Sequence, residues 1–103
     1  MVDPDRARAI AALRFRALGD ETRLRLLELL TEGERCVAEL MQSLSLGQSL
    51  VSHHLGTLRD AGLVATRREG RWTYYSIAEP ALASVRLLIY ELEPLRSGRE
   101  SVV

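Results

Sequence analysis

The chain has 103 residues, a hydrophobic content of 47% and a formal net charge of zero from 14 basic and 14 acidic residues. This length and hydrophobicity predict a single globular domain over residues 1–103 and exclude an intrinsically disordered chain. The balanced charge argues against a protein that binds nucleic acid through bulk positive charge, but it leaves room for a local basic surface.

Several functional classes are excluded by what the chain lacks. The single cysteine, Cys36, excludes an intramolecular disulfide and any site made of several thiolates within one chain. The longest apolar run is too short for a membrane span, and the N-terminus is too polar for a secretory signal. One cysteine, two adjacent histidines and scattered acids make no recognisable catalytic set. We therefore expect a soluble cytoplasmic protein that is not an enzyme and does not bind membranes.

A first helix is predicted from Pro4 to about Leu18. Proline is favoured in the first turn of a helix, Gly19 is a stop signal, and Asp20 is a good N-cap for the helix that follows. The apolar residues of this first helix cover more than a single stripe. We therefore expect it to pack against two different surfaces.

Two further helices are predicted over about 21–31 and 36–43. The leucines of the second helix, Leu24 among them, are too numerous for a surface helix, and we expect them to be buried. The third helix is expected to direct Val37, Leu40 and Met41 inward.

A tight turn at Ser45-Leu46-Gly47 is followed by a helix that extends to Asp60 and stops at Gly62. Apolar residues recur on it at spacings of four and three and predict a buried stripe of Val51, Leu55 and Leu58. The opposite face carries Gln48, Ser49, Ser52, His53 and Gly56. Short polar side chains suit close approach to base edges in a major groove, although a merely solvated polar face is an equal alternative for this helix alone. Residues 36–60 therefore predict a helix-turn-helix.

A hairpin is predicted where the periodicity changes at Leu63. Residues 63–68 and 71–77 are rich in β-forming residues and flank Glu69-Gly70, a two-residue loop. This register places Val64 opposite Tyr75 and Arg68 opposite Arg71. Opposed like charges are unfavourable, and a polyanion bound at the tip would relieve them. The alternative is that the tip arginines are only solvated.

Charge is concentrated around these two elements. Residues 47–77 carry four arginines against two acids, a net charge of +2, and the remainder of the chain has a net charge of −2. The asymmetry is small, but it coincides with the polar helix face and the hairpin.

A last helix is predicted over about 80–95, opened by Glu79-Pro80. Its apolar stripe is wide, and the earlier helices and the hairpin already cover the core. We therefore expect the stripe to form a subunit interface with the first helix. The expected interface residues are Ile10, Leu13, Val85, Leu88, Ile89 and Leu92. The alternative is that the stripe only completes the core of a monomer.

These elements together predict a mainly α fold with a two-stranded β-hairpin, in the order α-α-α-α-β-β-α. This is a winged helix-turn-helix with the wing at about 63–77 and dimerisation helices at about 4–18 and 80–95. Five segments in the same order resemble the ArsR/SmtB family of small dimeric bacterial repressors, over roughly residues 10–92. The segments are FRALGD (15–20), TRLRLL (22–27), VSHHL (51–55), LRDAGLV (58–64) and REGRWTYY (68–75).

The resemblance implies a homodimer that binds a double-stranded inverted-repeat operator and releases it when an effector binds. By position, Gln48, Ser49, Ser52 and His53 would contact bases or adjacent phosphates. Leu50 stands where the family more often has a polar or basic residue, and it would suit contact with a thymine methyl group.

The resemblance also assigns the wing a role. Arg67, Arg68 and Arg71 would hold phosphates or enter the minor groove. Because the recognition face itself has no lysine or arginine, a competing prediction is a winged-helix module or co-regulator that needs a partner protein. A salt-dependent DNA titration distinguishes the two functions.

The family's usual metal sites are missing from this sequence. Many members bind soft metals through Cys-Val-Cys, and here that position reads Cys36-Val37-Ala38. Others bind zinc or nickel through Asp and His on the last helix, and residues 80–95 contain no His, Cys or Asp. Cys36 is a weak candidate ligand and fits better as a small buried apolar residue. No cofactor is predicted beyond an atypical metal ion, and a small-molecule effector, a protein effector and constitutive DNA binding remain open.

Overall fold

The computed structural model describes residues 3–94. In chain order, the elements are α1 (Pro4–Leu18), α2 (Glu21–Leu30), β1 (Arg35–Cys36), α3 (Val37–Leu44), α4 (Gln48–Asp60), β2 (Val64–Glu69), β3 (Trp72–Ile77) and α5 (Glu79–Glu91). The mainly helical fold with a wing is therefore confirmed. No helix within residues 3–94 combines the length and the apolar content that crossing a membrane requires.

The boundary between α1 and α2 has the predicted signals. Gly19 is the C-cap of α1, and its backbone N–H donates to the carbonyl of Arg16 over 3.2 Å. Asp20 is the N-cap of α2, and its carboxylate accepts from the backbone N–H of Arg23 over 3.1 Å. That hydrogen bond is the largest cause of a lowered pKa at Asp20. An anion at the positive end of α2 is favourable, so the sharp reversal of the chain is stabilised by its own sequence.

The core lies beneath α4, between α2, α3 and the start of the wing. The predicted stripe of Val51, Leu55 and Leu58 is fully buried. Three further leucines are fully buried with it, and they come from α2, α3 and the residue before β2: Leu26, Leu40 and Leu63. Because α4 is the central element of this core, its outer face is held at a defined position on the molecular surface.

The expected burial of every α2 leucine is wrong at Leu24, which is 44% exposed. The buried leucines of α2 are Leu26, Leu27 and Leu30, all on one side of the helix. Leu24 lies about 200° around the helix axis from Leu26, so it projects away from the core.

The sheet has three strands where two were expected. The short strand β1 pairs antiparallel with β3, with Arg35 opposite Tyr75 and Cys36 opposite Tyr74, and the strand order is β1-β3-β2. A strand of two residues is too short to show alternation in the sequence, and only pairing with a distant strand defines it.

The predicted hairpin register is also wrong. Glu69 pairs with Trp72 and Val64 with Ile77, so the two loop residues are Gly70 and Arg71. Gly70 has φ +61°, and among residues 3–94 Ser45 is the one non-glycine residue with positive φ. A turn with glycine at its first central position suits a hairpin of this kind. Arg68 consequently faces Thr73, and the expected repulsion between Arg68 and Arg71 across the strands does not exist.

The last helix ends earlier than predicted. Its C-cap is Leu92, two residues before Pro94. The predicted end at Leu95 lies outside the described residues. Proline disfavours the helical conformation of the residue before it, which accounts for the early stop.

Candidate nucleic-acid interface

The outer face of α4 is polar and accessible. Gln48, Ser49, Ser52 and His53 are all exposed, and Leu50 is 44% exposed at the edge of the same face. The predicted recognition residues therefore lie together on one face of α4, and the buried stripe of Val51, Leu55 and Leu58 lies on the opposite face. The side chains are short, so another molecule can approach the helix backbone closely.

The start of α4 adds a positive electrostatic field to this surface. Ser45, with φ 55°, turns the chain out of α3, and Gly47 is the N-cap of α4. Glycine has no side chain to accept from the first backbone N–H groups, and the first turn of α4 carries no acidic residue. The N–H groups and the helix dipole at this end therefore favour an anion such as a phosphate.

The three wing arginines do not form one cluster. In the observed register Arg67 lies on one face of the hairpin, opposite Tyr74, whereas Arg68 lies on the other face, opposite Thr73. Arg71 is in the turn, with its guanidinium 5.8 Å from the ring centroid of Trp72. Arg68 and Arg71 are both exposed.

Arg67 is engaged within the protein. Its guanidinium donates to both carboxylate oxygens of Glu34 over 2.6 and 3.2 Å and to Glu69 over 2.9 Å, and it lies 4.8 Å from the ring centroid of Tyr74. The hydrogen bond from Arg67 is the largest cause of the lowered pKa of Glu34. A phosphate must therefore displace a carboxylate before it can use the hydrogen-bonding edge of Arg67.

A polar network lies behind the recognition face. His54 is 9% exposed, and its Nδ1 lies 3.1 Å from Nη1 of Arg23 and 3.8 Å from Oδ2 of Asp20. Arg23 also donates to the carbonyls of Ala17 over 2.6 Å and Arg16 over 3.2 Å. The network therefore joins the end of α1, the start of α2 and the middle of α4.

The geometry defines the protonation state of His54. A guanidinium can only donate, so Nδ1 accepts and the ring proton is on Nε2. Burial lowers the pKa of His54 below its usual value of 6.5, Arg23 and His53 also lower it, and the nearby carboxylate of Asp20 raises it. Burial and the contact with Arg23 thus both favour the neutral ring of His54.

A second arginine holds the C-terminal end of α4. Arg14 of α1 donates from Nε to the carbonyl oxygen of Ala61 over 3.1 Å. Ala61 is the C-cap of α4, where carbonyl groups lack helical partners. The positive guanidinium also complements the negative end of the helix dipole.

The sequence reading missed Arg14, Arg23, Glu34 and His54. His54 had a detectable signal, because it falls between Val51 and Leu55 in the three-and-four spacing of the buried stripe. The arginines had none, since their partners lie 31 and 47 residues away along the chain.

The residues expected at a subunit interface fall into two groups. Ile10, Leu13, Ile89 and Leu92 are 39%, 41%, 55% and 70% exposed. Val85 is buried within the subunit, and Leu88 is half-buried where α5 meets α1. The first group therefore leaves apolar side chains exposed on both α1 and α5.

The structure places Cys36 in β1, half-buried and opposite Tyr74. Its backbone N–H donates to Glu39 Oε1 over 3.0 Å. Among the described residues, no three His, Cys, Asp or Glu side chains lie together in an arrangement that could hold a metal ion.

Comparison with known proteins gives a consistent result. Residues 20–66 match the model of the arsR family of bacterial regulatory proteins. An uncharacterized helix-turn-helix transcriptional regulator of Methanocaldococcus jannaschii is 42% identical over 83 residues, which is 80% of this chain and 93% of that protein. The arsenical resistance operon repressor of Escherichia coli is 43% identical over 62% of this chain and 56% of its own length.

Solved structures agree with the fold. The homodimeric winged helix-turn-helix DNA-binding domain from Mycobacterium bovis superimposes with a TM-score of 0.72 and 31% identity, over 88% of this chain and 87% of that one.

Other curated regulators are longer, and the chain spans 50% to 63% of the length of three that it matches.

Proposed function

The chain belongs to the arsR family of bacterial regulatory proteins and is a winged helix-turn-helix transcriptional regulator, and from that premise we propose that it represses transcription as a two-fold dimer on an inverted-repeat operator. The observation that carries this proposal is the exposed polar face of α4, formed by Gln48, Ser49, Ser52 and His53 directly above a fully buried apolar stripe. In this arrangement the hydrogen-bonding groups can enter a major groove while the domain stays outside it.

Sequence preference and general affinity come from different residues. Ser52 and His53 lie in the middle of the exposed face and read base edges. Phosphates are bound by the N-terminal N–H groups of α4 and by Arg68 and Arg71 of the wing. Phosphate contacts position a protein on the duplex without selecting a sequence, whereas base contacts select it.

The proposed dimer uses α1 and α5. Ile10 and Leu13 of α1 and Ile89 and Leu92 of α5 expose apolar surface that a second copy would cover. A two-fold dimer of this kind presents its two α4 helices about 34 Å apart, one turn of DNA, and so requires an operator with matching half-sites.

This chain lacks the Cys-Val-Cys pattern that the family resemblance associates with soft-metal effectors. The Escherichia coli relative is named as a repressor of arsenical resistance, but this chain has a single cysteine, Cys36, followed by Val37 and Ala38. A single thiolate without converging partners is a poor soft-metal site. We therefore propose a small organic molecule or a partner protein as the effector of this chain.

The test is a comparison of two double variants on two kinds of DNA. A duplex that the wild-type protein selects from a randomised pool is compared with a scrambled duplex of the same composition, at several salt concentrations. Ser52→Ala with His53→Ala should reduce the preference for the selected duplex about tenfold or more. Arg68→Ala with Arg71→Ala should weaken binding to both duplexes. It should also reduce the slope of log affinity against log salt concentration by up to about two.

Two results would overturn the assignment. If the wing variant changed base preference while the helix variant weakened both duplexes equally, the two roles would be reversed. If the wild-type protein selected no duplex from the pool and bound random DNA without salt dependence, the winged helix would be a protein-binding module.

A further inference from the structure

The inner face of α4 contains one polar residue, His54, among fully buried apolar ones. Val51, Leu55 and Leu58 on the same face have no exposed surface. Apolar contacts are not directional, so they select the rotation of a helix less sharply than a hydrogen bond does. A hydrogen bond from a buried side chain is directional, and it stabilises one rotation of the helix over its neighbours.

The donor that meets His54 is itself fixed. Arg23 donates to the carbonyls of Ala17 and Arg16 at the end of α1, and its backbone N–H is held by the Asp20 cap. Its remaining guanidinium edge reaches His54 Nδ1 over 3.1 Å. Because the guanidinium is planar and carries its donors in a rigid fork, its position defines where Nδ1 must lie.

The consequence reaches the DNA-facing side through His53. The ring centroids of His53 and His54 lie 5.3 Å apart at an interplanar angle of 61°, an edge-to-face contact. The orientation of the exposed ring therefore depends on the buried ring beneath it. Rotation of α4 would also move Ser52 relative to the bases.

We propose that His54, oriented by Arg23, is a positioning residue for base readout, so that it determines sequence discrimination without contacting DNA. This inference rests on the proposed function and assigns a role to a residue outside the recognition face. The phosphate contacts of Arg68 and Arg71 tolerate a small rotation of α4, because these residues belong to the wing and act through charge at some distance. Base contacts do not, because each requires a hydrogen bond of defined length and angle.

The matched variants are His54→Leu and His54→Asn. Leucine fills a similar volume but cannot accept from Arg23. The side-chain oxygen of asparagine occupies nearly the position of Nδ1 and can accept the same hydrogen bond. The measured quantity is the ratio of dissociation constants for the scrambled and the selected duplex, with the salt dependence of scrambled-duplex binding as the control.

We expect His54→Leu to lower this ratio about tenfold and to leave binding to the scrambled duplex and its salt dependence unchanged. His54→Asn should retain the wild-type ratio within about threefold. A His54→Leu variant that discriminates as well as the wild type would overturn the proposal. If His54→Leu weakened binding to both duplexes equally, the role of His54 would be purely structural and the proposal would be overturned. It would also be overturned if His54→Asn lost as much discrimination as His54→Leu.

A second measurement applies even if His54→Leu does not fold. The groups that face His54 are Asp20, Arg23 and His53. Protonation of Nδ1 removes the acceptor, so discrimination by the wild type should fall as the pH falls through the folded-state pKa of His54, which lies below 6.5. His54→Asn keeps His53 but cannot titrate at position 54, and its ratio should fall less. An equal fall in both proteins would overturn the proposal.

Failure of this proposal can be distinguished from failure of the proposed function. A wild-type protein that selects no duplex from the randomised pool contradicts DNA readout itself, and the role of His54 in readout is overturned with it. A wild-type protein that selects a duplex, together with a His54→Leu variant that selects it equally well, contradicts the positioning role alone.

Discussion

Arg67 of the wing and Glu34, which precedes β1, form a bidentate ion pair across 33 residues of chain, with nitrogen–oxygen distances of 2.6 and 3.2 Å. The resemblance to the ArsR/SmtB family predicts that Arg67 contacts DNA. In the structure this arginine connects the wing to the segment between α2 and β1, and Glu69 holds its third edge over 2.9 Å. Glu34 therefore competes with any phosphate for Arg67.

The first prediction concerns this competition. Glu34→Gln should raise the affinity for scrambled DNA about two- to fivefold, since an exposed ion pair contributes little and its loss frees Arg67 for phosphate. The slope of log affinity against log salt concentration should become steeper by up to about one. Titration of fluorescent duplex DNA at several salt concentrations measures both quantities.

Glu28→Gln is the control for this experiment. It also removes one negative charge, in this case from α2, and it leaves the Arg67 ion pair intact. Arg67→Ala should also weaken DNA binding less than Arg68→Ala does. An Arg67→Ala variant that loses as much affinity as Arg68→Ala would show that phosphate already contacts Arg67 in the wild-type complex.

The second prediction concerns Arg14 and the end of α4. Arg14→Leu should lower the free energy of unfolding by about 1.5–3 kcal/mol, because it leaves the Ala61 carbonyl without its charged donor. Arg8→Leu on the same helix removes an exposed ion pair with Asp5 and should cost less than about 1 kcal/mol. Urea denaturation at pH 7 compares them, and equal losses would show that the Arg14 contact contributes no specific stability.

The third prediction concerns the subunit interface. Ile89→Glu with Leu92→Glu should convert the dimer to monomers at micromolar concentration, because buried unpaired carboxylates strongly oppose association. Both side chains are more than half exposed in the subunit, so folding should be retained. Sedimentation velocity measures the mass, and circular dichroism checks the fold.

Leu87→Glu provides the matched control on α5. Leu87 is 57% exposed but lies about 160° around the helix from Ile89, outside the proposed interface. It should leave the dimer intact. Dissociation by Leu87→Glu alone would move the interface to the other side of α5, and a wild-type monomer would contradict the interface altogether.

The fourth prediction concerns stability and pH. Burial lowers the pKa of His54 in the folded state below the value of 6.5 that it has when unfolded. The unfolded chain therefore takes up a proton first as the pH falls below 6.5. The contribution of neutral His54 is complete above pH 6.5, decreases below it and is lost once the pH falls through the folded-state pKa.

Urea midpoints at pH 7.5, 6.5 and 5.5 test this expectation. The wild-type midpoint should fall over this range, and that of His54→Asn should fall less, because asparagine does not titrate. Parallel curves for the two proteins would show that His54 is equally easy to protonate in the folded and unfolded states.

The local elements of this protein could be predicted from the sequence because their signals lie within a few residues of each other. The bounds of α1 follow from Pro4 and Gly19, and the two faces of α4 follow from a spacing of three and four residues. The existence of the wing follows from a change of period at Leu63. Each of these features is independent of what the rest of the chain does.

The tertiary structure alone decided which distant groups meet. β1 exists only through its pairing with β3, and the hairpin register depends on which residue of the loop takes the positive φ. The packing of α2, β1 and α4 decides whether Arg67 faces Glu34 or solvent. It also decides whether Arg23 reaches His54. An exposed arginine and an arginine that is hydrogen-bonded within the protein look alike in a sequence. The partners of a side chain depend on how distant segments pack, and the adjacent residues in the chain do not specify that packing.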